Sequence, residues 1–278
     1  MDPEPYDPEE PENERQLAWQ PFCAVTLLLP STVVKWGGKI RPLEEAAMRL
    51  VQKHAPSIPI PELQRSSYSR SKEGRVVYGE LFMSYIPGKT LNVAWAGFDD
   101  AIKTRICQEI WDMVATIRTI PRPAYLAGPS GDGDQPCQYC TADGSPSRDP
   151  LLGDNNDVTP CFLDDQTLRD RIYARYVAHN GLSYRDSAQY LPDKLPRSDK
   201  AVFTHGDIGP RNIMVDDEGR ILAFLDWESS GWFPDYWEFL QMMKPCQEPE
   251  REWKHWMART KPEPWDIAAI QKAQRVLF

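Results

Sequence analysis

Between Phe203 and Val215 the chain reads Phe203-Thr-His-Gly-Asp-Ile-Gly-Pro-Arg-Asn-Ile-Met-Val215, so that a carboxylate, Asp207, is followed five positions later by an amide, Asn212. A second carboxylate, Asp226, closes the short apolar run Phe224-Leu-Asp-Trp227. The apolar stretches 201–204, 213–215 and 220–225 predict three short strands, the last two joined by Asp216-Asp-Glu-Gly219 as a hairpin turn. Such a hairpin brings Asn212 and Asp226 to one place. The chemistry this set serves is phosphoryl transfer, where the reacting group is already strongly negative and a protein mainly positions groups and neutralises charge. Asp207 is suited to align an acceptor hydroxyl and take its proton. Asn212 and Asp226 offer a neutral and an anionic oxygen to Mg²⁺, a hard cation that keeps few protein ligands. The plainer alternative, that all three are turn and cap residues, does not explain why they occur together in this order.

This order resembles the aminoglycoside phosphotransferase and choline kinase superfamily, whose signature is a His-Gly-Asp loop with Asn five residues after the Asp, then a strand ending in Asp-Trp or Asp-Phe. Here the two motifs read HGDIGPRN and LDWE. Protein kinases share the Asp-to-Asn spacing but carry Arg where Gly206 stands and Phe-Gly where Trp227-Glu228 stand, and their Ala-Pro-Glu segment is missing. The resemblance implies an α+β, protein-kinase-like two-lobed fold, with a small β-rich N-lobe over 19–86 and a larger, mainly helical C-lobe over 87–278. It also implies ATP and Mg²⁺ as cofactors and a small-molecule hydroxyl as acceptor. In its terms Lys35, in Val33-Val-Lys-Trp36, is the phosphate lysine, and Glu45 on the next helix is its ion-pair partner. Met83 and Tyr85, in Met83-Ser-Tyr-Ile-Pro-Gly88, belong to the hinge that receives adenine. Asp207 is then catalytic, His205 and Arg211 support the loop, and Asn212 and Asp226 hold the metal. A glycine-rich phosphate loop is expected between the first two strands, yet Leu28-Leu-Pro-Ser-Thr32 contains no glycine. That departure keeps a second reading open: a non-catalytic or repurposed kinase-like binding protein.

Past Asp226 the chain continues Glu228-Ser-Ser-Gly-Trp-Phe-Pro-Asp-Tyr-Trp-Glu238. A helix is predicted over 232–243, which sets Asp235 and Glu238 on one side at i and i+3. In the resembled family this region borders the acceptor pocket, so Glu228, Trp232, Asp235 and Glu238 are candidate substrate residues. Acid beside aromatic predicts an acceptor bearing an amine or quaternary ammonium. An acidic helix start followed by core aromatics accounts for the same residues.

These residues require a scaffold. Strands over 25–29 and 32–36 around Pro30-Ser31 predict a hairpin, and Leu43, Ala46, Ala47, Leu50 and Val51 recur at helical spacing between Pro42 and Pro56. A further strand pair flanks Lys72-Glu-Gly74, and residues 99–119 predict a long helix with Ile102, Ile106, Ile110, Met113, Val114 and Ile117 on one face. Helices are also predicted at 168–177, 251–259 and from Trp265 onward. Residues 1–18 are expected to be a disordered acidic tail, since they have too little apolar surface to offset the entropy of ordering. Residues 128–160, rich in Gly, Pro, Asp and Ser, are expected to be a flexible surface insertion. The scattered cysteines predict free thiols, with Cys137 and Cys140 short of the ligands zinc needs. A formal charge of −9 without a basic run argues against nucleic acid as partner, and no apolar run is long enough to span a membrane. The expected location is the cytosol.

Overall fold

In the computed structural model, which describes residues 14–126, 137–153, 161–179, 191–246 and 250–277, five antiparallel strands form the N-lobe sheet. They are β1 (Glu14–Gln20), β2 (Cys23–Leu28), β3 (Thr32–Gly37), β4 (Leu63–Arg70) and β5 (Val76–Ser84), in the order β1-β2-β3-β5-β4. Between β3 and β4 runs α1 (Pro42–His54). Pro42 opens it where no N–H is needed, Glu44 and Glu45 meet the positive end of its dipole, and Lys53 and His54 meet the negative end. Its inner face carries Leu43, Ala47, Met48, Leu50 and Val51 and, in register with them, Glu44. The register sets Lys35 opposite Val25 on one side and Leu81 on the other.

The first strand corrects the expected tail. Residues 1–13 lie outside the described residues, but Glu14–Gln20 pairs antiparallel with β2, Trp19 against Ala24 and Gln20 against Cys23. All seven of its residues are exposed at the sheet edge, so backbone pairing rather than burial holds it. The first two strands are therefore β1 and β2. The turn between them is Pro21-Phe22, with Phe22 at φ +68° and its carbonyl accepting from Lys39 N at 3.1 Å. That turn also lacks glycine.

The chain enters the C-lobe through β6 (Lys89–Thr90) and α2 (Leu91–Ala94), and then forms α3 (Asp100–Ile117). Asp99 caps α3 by accepting from Ile102 N at 2.8 Å. Ile106, Cys107, Ile110, Trp111, Val114 and Ile117 form the buried stripe of this helix. Each large side chain so buried contributes on the order of 2 kcal/mol of transfer free energy. Trp111, rather than Met113, completes the stripe.

Part of the presumed insertion is core. β7 (Tyr139–Thr141) pairs with both β8 (Cys161–Phe162) and β12 (Gly231–Phe233), and Tyr139, Thr141, Ala142, Leu151 and Leu152 are buried. Its turn-rich composition hid a three-residue strand buried in full. Residues 127–136 and 154–160 lie outside the described residues. Cys137 is disulfide-bonded, contrary to the expected free thiol, whereas Cys23, Cys107, Cys140 and Cys246 are free. The helices α4 (Asp165–Ala178), α5 (Leu191–Lys194), α6 (Trp237–Met242), α7 (Glu250–Thr260) and α8 (Ala268–Leu277) complete the lobe.

The strands β9 (Val202–Thr204), β10 (Ile213–Val215) and β11 (Ile221–Phe224) fall where predicted. β10 and β11 pair around the Asp216–Gly219 turn, with Ile213 opposite Phe224. The predicted helix over 232–243 starts later, because Gly231–Phe233 is a strand wedged between β7 and β9. A Cβ at Gly231 would lie 2.3 Å from the Cys140 carbonyl oxygen, so the close approach needs glycine. No helix among the described residues is long and apolar enough to cross a membrane.

Candidate active site

A cleft of about 780 Å³ lies between the sheet and the β9–β11 region, lined by β1, β2, β3, α1, the segment after β5 and the loop after β9. Lys35 projects into it from β3 and is buried. Its Nζ donates to Glu44 Oε2 at 2.8 Å and to Asp226 Oδ1 at 2.8 Å, and lies 3.6 Å from Glu228 Oε2. Burial opposes the ammonium charge, but the three carboxylates outweigh it and hold the Lys35 pKa well above its ordinary value. Burial pushes Glu44 up to about 7 against the pull of Lys35. Burial would raise Asp226 as well, yet Lys35 wins there and holds it low.

The expected partner, Glu45, is not the one. It turns to the outer side of α1, where Arg49 lies 2.7 Å away and Tyr68 donates to it at 2.9 Å. The sequence carried a signal for this: Glu44 shares the i, i+3, i+4, i+7 stripe with Ala47, Met48 and Val51, whereas Glu45 is aligned with Arg49. A carboxylate on the apolar stripe of an amphipathic helix must meet a buried cation or buried hydrogen-bond donors.

On the opposite wall the catalytic-loop candidates converge. His205 is fully buried and its Nε2 pairs with Leu225 O at 2.9 Å, while Asp207 N donates to His205 Nδ1 at 3.2 Å. This fixes the neutral tautomer with the proton on Nε2, and burial lowers the pKa to match. The imidazole thus ties the loop bearing Asp207 to the strand end bearing Asp226. Asn212 reinforces it: its Nδ2 donates to Asp207 O and Oδ2, both at 2.9 Å, and its carbonyl accepts from Leu225 N at 2.8 Å. Asp226 has φ +65°, a sparsely populated conformation for a non-glycine residue. Gly206, at φ +81°, could not carry a side chain, since a Cβ would lie 2.4 Å from Ser229 O.

With Nδ2 of Asn212 committed to Asp207, its Oδ1 is the atom left for a cation, and Asp226 keeps Oδ2 beyond the Lys35 contact. One amide and one carboxylate oxygen suit the hard-ligand preference of magnesium. Met83, Tyr85 and Glu228 also line the cleft, and Glu228 is half exposed there.

The remaining substrate candidates lie elsewhere. Trp232 is buried in β12 and donates from Nε1 to Ile120 O at 3.3 Å. Glu238 is fully buried beneath the catalytic loop, accepting from His205 N at 2.6 Å and Gly206 N at 3.1 Å. Asp235 accepts from Ser198 Oγ at 2.8 Å, outside the cleft lining. The start of α6 faces the loop's backbone, which sequence spacing could not show. Residues the sequence reading missed are Glu44, Glu238 in its loop-holding place, Ser230, whose Oγ donates to His205 O at 3.1 Å, and Glu250, 3.4 Å from Arg211.

The profile of the phosphotransferase enzyme family matches residues 41–264, and the chain belongs to this family. Solved structures that share its fold include kinase-like aminoglycoside phosphotransferases. A thermostable mutant of APH(4)-Ia, in ternary complex with AMP-PNP and hygromycin B, superposes with a TM-score of 0.61 at 14% identity, over 95% of this chain and 84% of that one. ADP-bound APH(2'')-Ib gives 0.58 at 10% identity, over 96% and 82%. Spectinomycin phosphotransferase APH(9)-Ia, in complex with ADP and spectinomycin, gives 0.53 at 12%, over 95% and 78%. Among curated proteins no match was found.

Proposed function

We propose that the protein is an ATP- and Mg²⁺-dependent kinase that phosphorylates a hydroxyl of a small molecule. The observation that carries this reading is the convergence of Lys35, Asp207, Asn212 and Asp226 on one cleft, from elements far apart in the chain. Lys35, steadied by Glu44, offers a charge to the nucleotide phosphates from the sheet side. Asn212 and Asp226 would hold magnesium, which when bound supplies charge neutralisation at the phosphates. Asp207 orients the acceptor hydroxyl and receives its proton, with its backbone fixed by His205 and Asn212. Of the acceptor candidates only Glu228 lines the cleft, so a preference for an amine-bearing acceptor rests on that one carboxylate.

A panel of hydroxyl metabolites and aminocyclitol compounds, with hygromycin B and spectinomycin included, tests the reading with γ-labelled ATP. Label should pass to at least one acceptor, and Asp207→Ala should fold normally while turnover drops by roughly 10²-fold or more. The second reading, a non-catalytic or repurposed kinase-like binding protein, is favoured by the glycine-free Pro21-Phe22 turn. It predicts a Mg-ATP thermal shift that is absent, or present with no acceptor labelled.

A further inference from the structure

Asp207 is engaged by its own loop. Nη2 of Arg211 lies 2.7 and 2.8 Å from its two carboxylate oxygens, and Asn212 Nδ2 lies 2.9 Å from one of them. A hydroxyl that reaches a remaining lone pair of Asp207 must share a carboxylate whose charge the guanidinium already spans. Arg211 is built to yield: it stands on a single turn of 3₁₀ helix, Pro210–Asn212, its side chain is 49% exposed, and it lines the cleft. Its other terminal nitrogen, Nη1, points away from Asp207 toward Glu250 Oε1 on α7, at 3.4 Å. The guanidinium is therefore stretched between two carboxylates, one at the reaction centre and one outside it.

Charge balance gives the second part of the argument. Lys35, the buried cation of the cleft, is already surrounded by Glu44, Asp226 and Glu228. Its charge is more than offset before any phosphate arrives. A transferring phosphoryl group therefore gains from positive charge on another side, beyond what magnesium would supply, and among the described residues Arg211 is the cation in contact with Asp207. Guanidinium is permanently charged, and its planar fork matches phosphoryl oxygens.

We propose that Arg211 is a further catalytic residue with two positions: across the oxygens of Asp207 in the resting enzyme, and turned onto the transferring phosphoryl group in the reacting one, with Glu250 as its anchor. In the reaction the bond from the γ-phosphorus to the β,γ-bridging oxygen breaks and that oxygen keeps the electron pair. A bond forms from the acceptor oxygen to the phosphorus, and the hydroxyl proton passes to Asp207. The guanidinium stays protonated throughout. Arrival of the phosphate and release of the base are then one movement, which restrains Asp207 while the cleft holds no nucleotide. This role rests on the kinase reading and deepens it.

The test uses the full chain and needs no identified acceptor. Two probes are followed: hydrolysis of Mg-ATP to water, and the thermal shift given by Mg-ADP with and without fluoroaluminate, which mimics the phosphoryl group in flight. Wild type should gain stability from fluoroaluminate beyond the Mg-ADP shift. Arg211→Gln should keep the Mg-ADP shift, lose most of the extra gain and hydrolyse ATP roughly 10²-fold more slowly. Arg211→Lys should fall between, having the charge without the fork, and Glu250→Gln should lose a few-fold in rate with the Mg-ADP shift intact. Hydrolysis in Arg211→Gln within threefold of wild type or faster, or a full fluoroaluminate response, overturns the proposal. Should Arg211→Gln fail to fold, a folded Arg211→Lys at wild-type level in both probes overturns it equally. A wild type that ignores Mg-nucleotide altogether sinks the kinase reading and this role with it, whereas a responsive wild type beside an unaltered Arg211→Gln sinks the role alone.

Discussion

Glu44 and Glu238 are both buried carboxylates whose pKa burial pushes up to about 7, yet one lines the cleft and the other lies beneath the loop after β9, and they are satisfied by different chemistry. Glu44 meets a charge: the Lys35 ammonium, nine residues earlier in the chain and itself shared with Asp226 from 191 residues away. Among the described residues Glu238 meets two backbone N–H groups, those of His205 and Gly206, and no side-chain cation within hydrogen-bond distance. The difference separates an adjustable ion pair from a fixed scaffold. An ammonium on a long stem can adjust toward a ligand while remaining paired, whereas a carboxylate hydrogen-bonded to two consecutive amides fixes the backbone from which Asp207 projects. The sheet side of the cleft is thus held by adjustable charges and the loop side by rigid dipoles.

The largest effect expected from disturbing this division is on the rigid side. Gly206→Ala adds a Cβ where Ser229 O leaves 2.4 Å, in a backbone conformation that L-residues avoid. The loss should be about 3 kcal/mol or more, seen as a melting temperature lower by roughly 10 °C. A wild-type melting temperature in that variant would mean that the loop is not rigidly held.

Next comes the pH dependence of Glu238. Its folded pKa, about 7, lies above the ordinary 4.5, so between those values the folded state binds more protons than the unfolded one. The stability it contributes is full below about pH 4.5 and is lost as pH rises toward 7. A shift of this size corresponds to roughly 3 kcal/mol. The advantage of wild type over Glu238→Gln, which cannot ionise, should shrink by that order across the window in denaturant titrations. If the advantage instead grew with pH, the two N–H donors would outweigh burial and the carboxylate would be ionised throughout.

On the adjustable side the effects are smaller and fall on binding. Glu44→Gln removes one charged partner of Lys35 while Asp226 and Glu228 remain, so Mg-ATP affinity should weaken roughly tenfold, about 1.4 kcal/mol, in a calorimetric titration. Glu45→Gln should be nearly silent, with nucleotide affinity unchanged and the melting temperature within about 2 °C, because its contacts with Arg49 and Tyr68 lie on the outer side of α1. The reverse ranking would return the ion pair to Glu45.

The catalytic loop is legible in the amino-acid sequence because its geometry is local. Asp207, Arg211 and Asn212 touch one another within five residues, and a hairpin of eleven or so positions carries the chain round to Asp226. Helix α1 is legible for the same reason, through its proline start and apolar stripe. The tail and the insertion are misjudged because composition registers burial but not pairing: β1 is fully exposed and exists through its hydrogen bonds to β2, while β7 is short, buried and flanked by turn residues.

Residue order and short spacing therefore determined the strands β10 and β11 and the nearness of Asp207, Arg211 and Asn212, since each depends on contacts within a turn or a hairpin. Which glutamate meets Lys35, and whether Trp232, Asp235 and Glu238 face a ligand or the interior, depended on how distant elements pack. Burial on a particular side of a helix or strand is a property of its neighbours, and the neighbour of Glu238 is a loop 33 residues earlier in the chain. Only the assembled fold decides that a carboxylate at the start of a helix points at two buried amides instead of at a substrate.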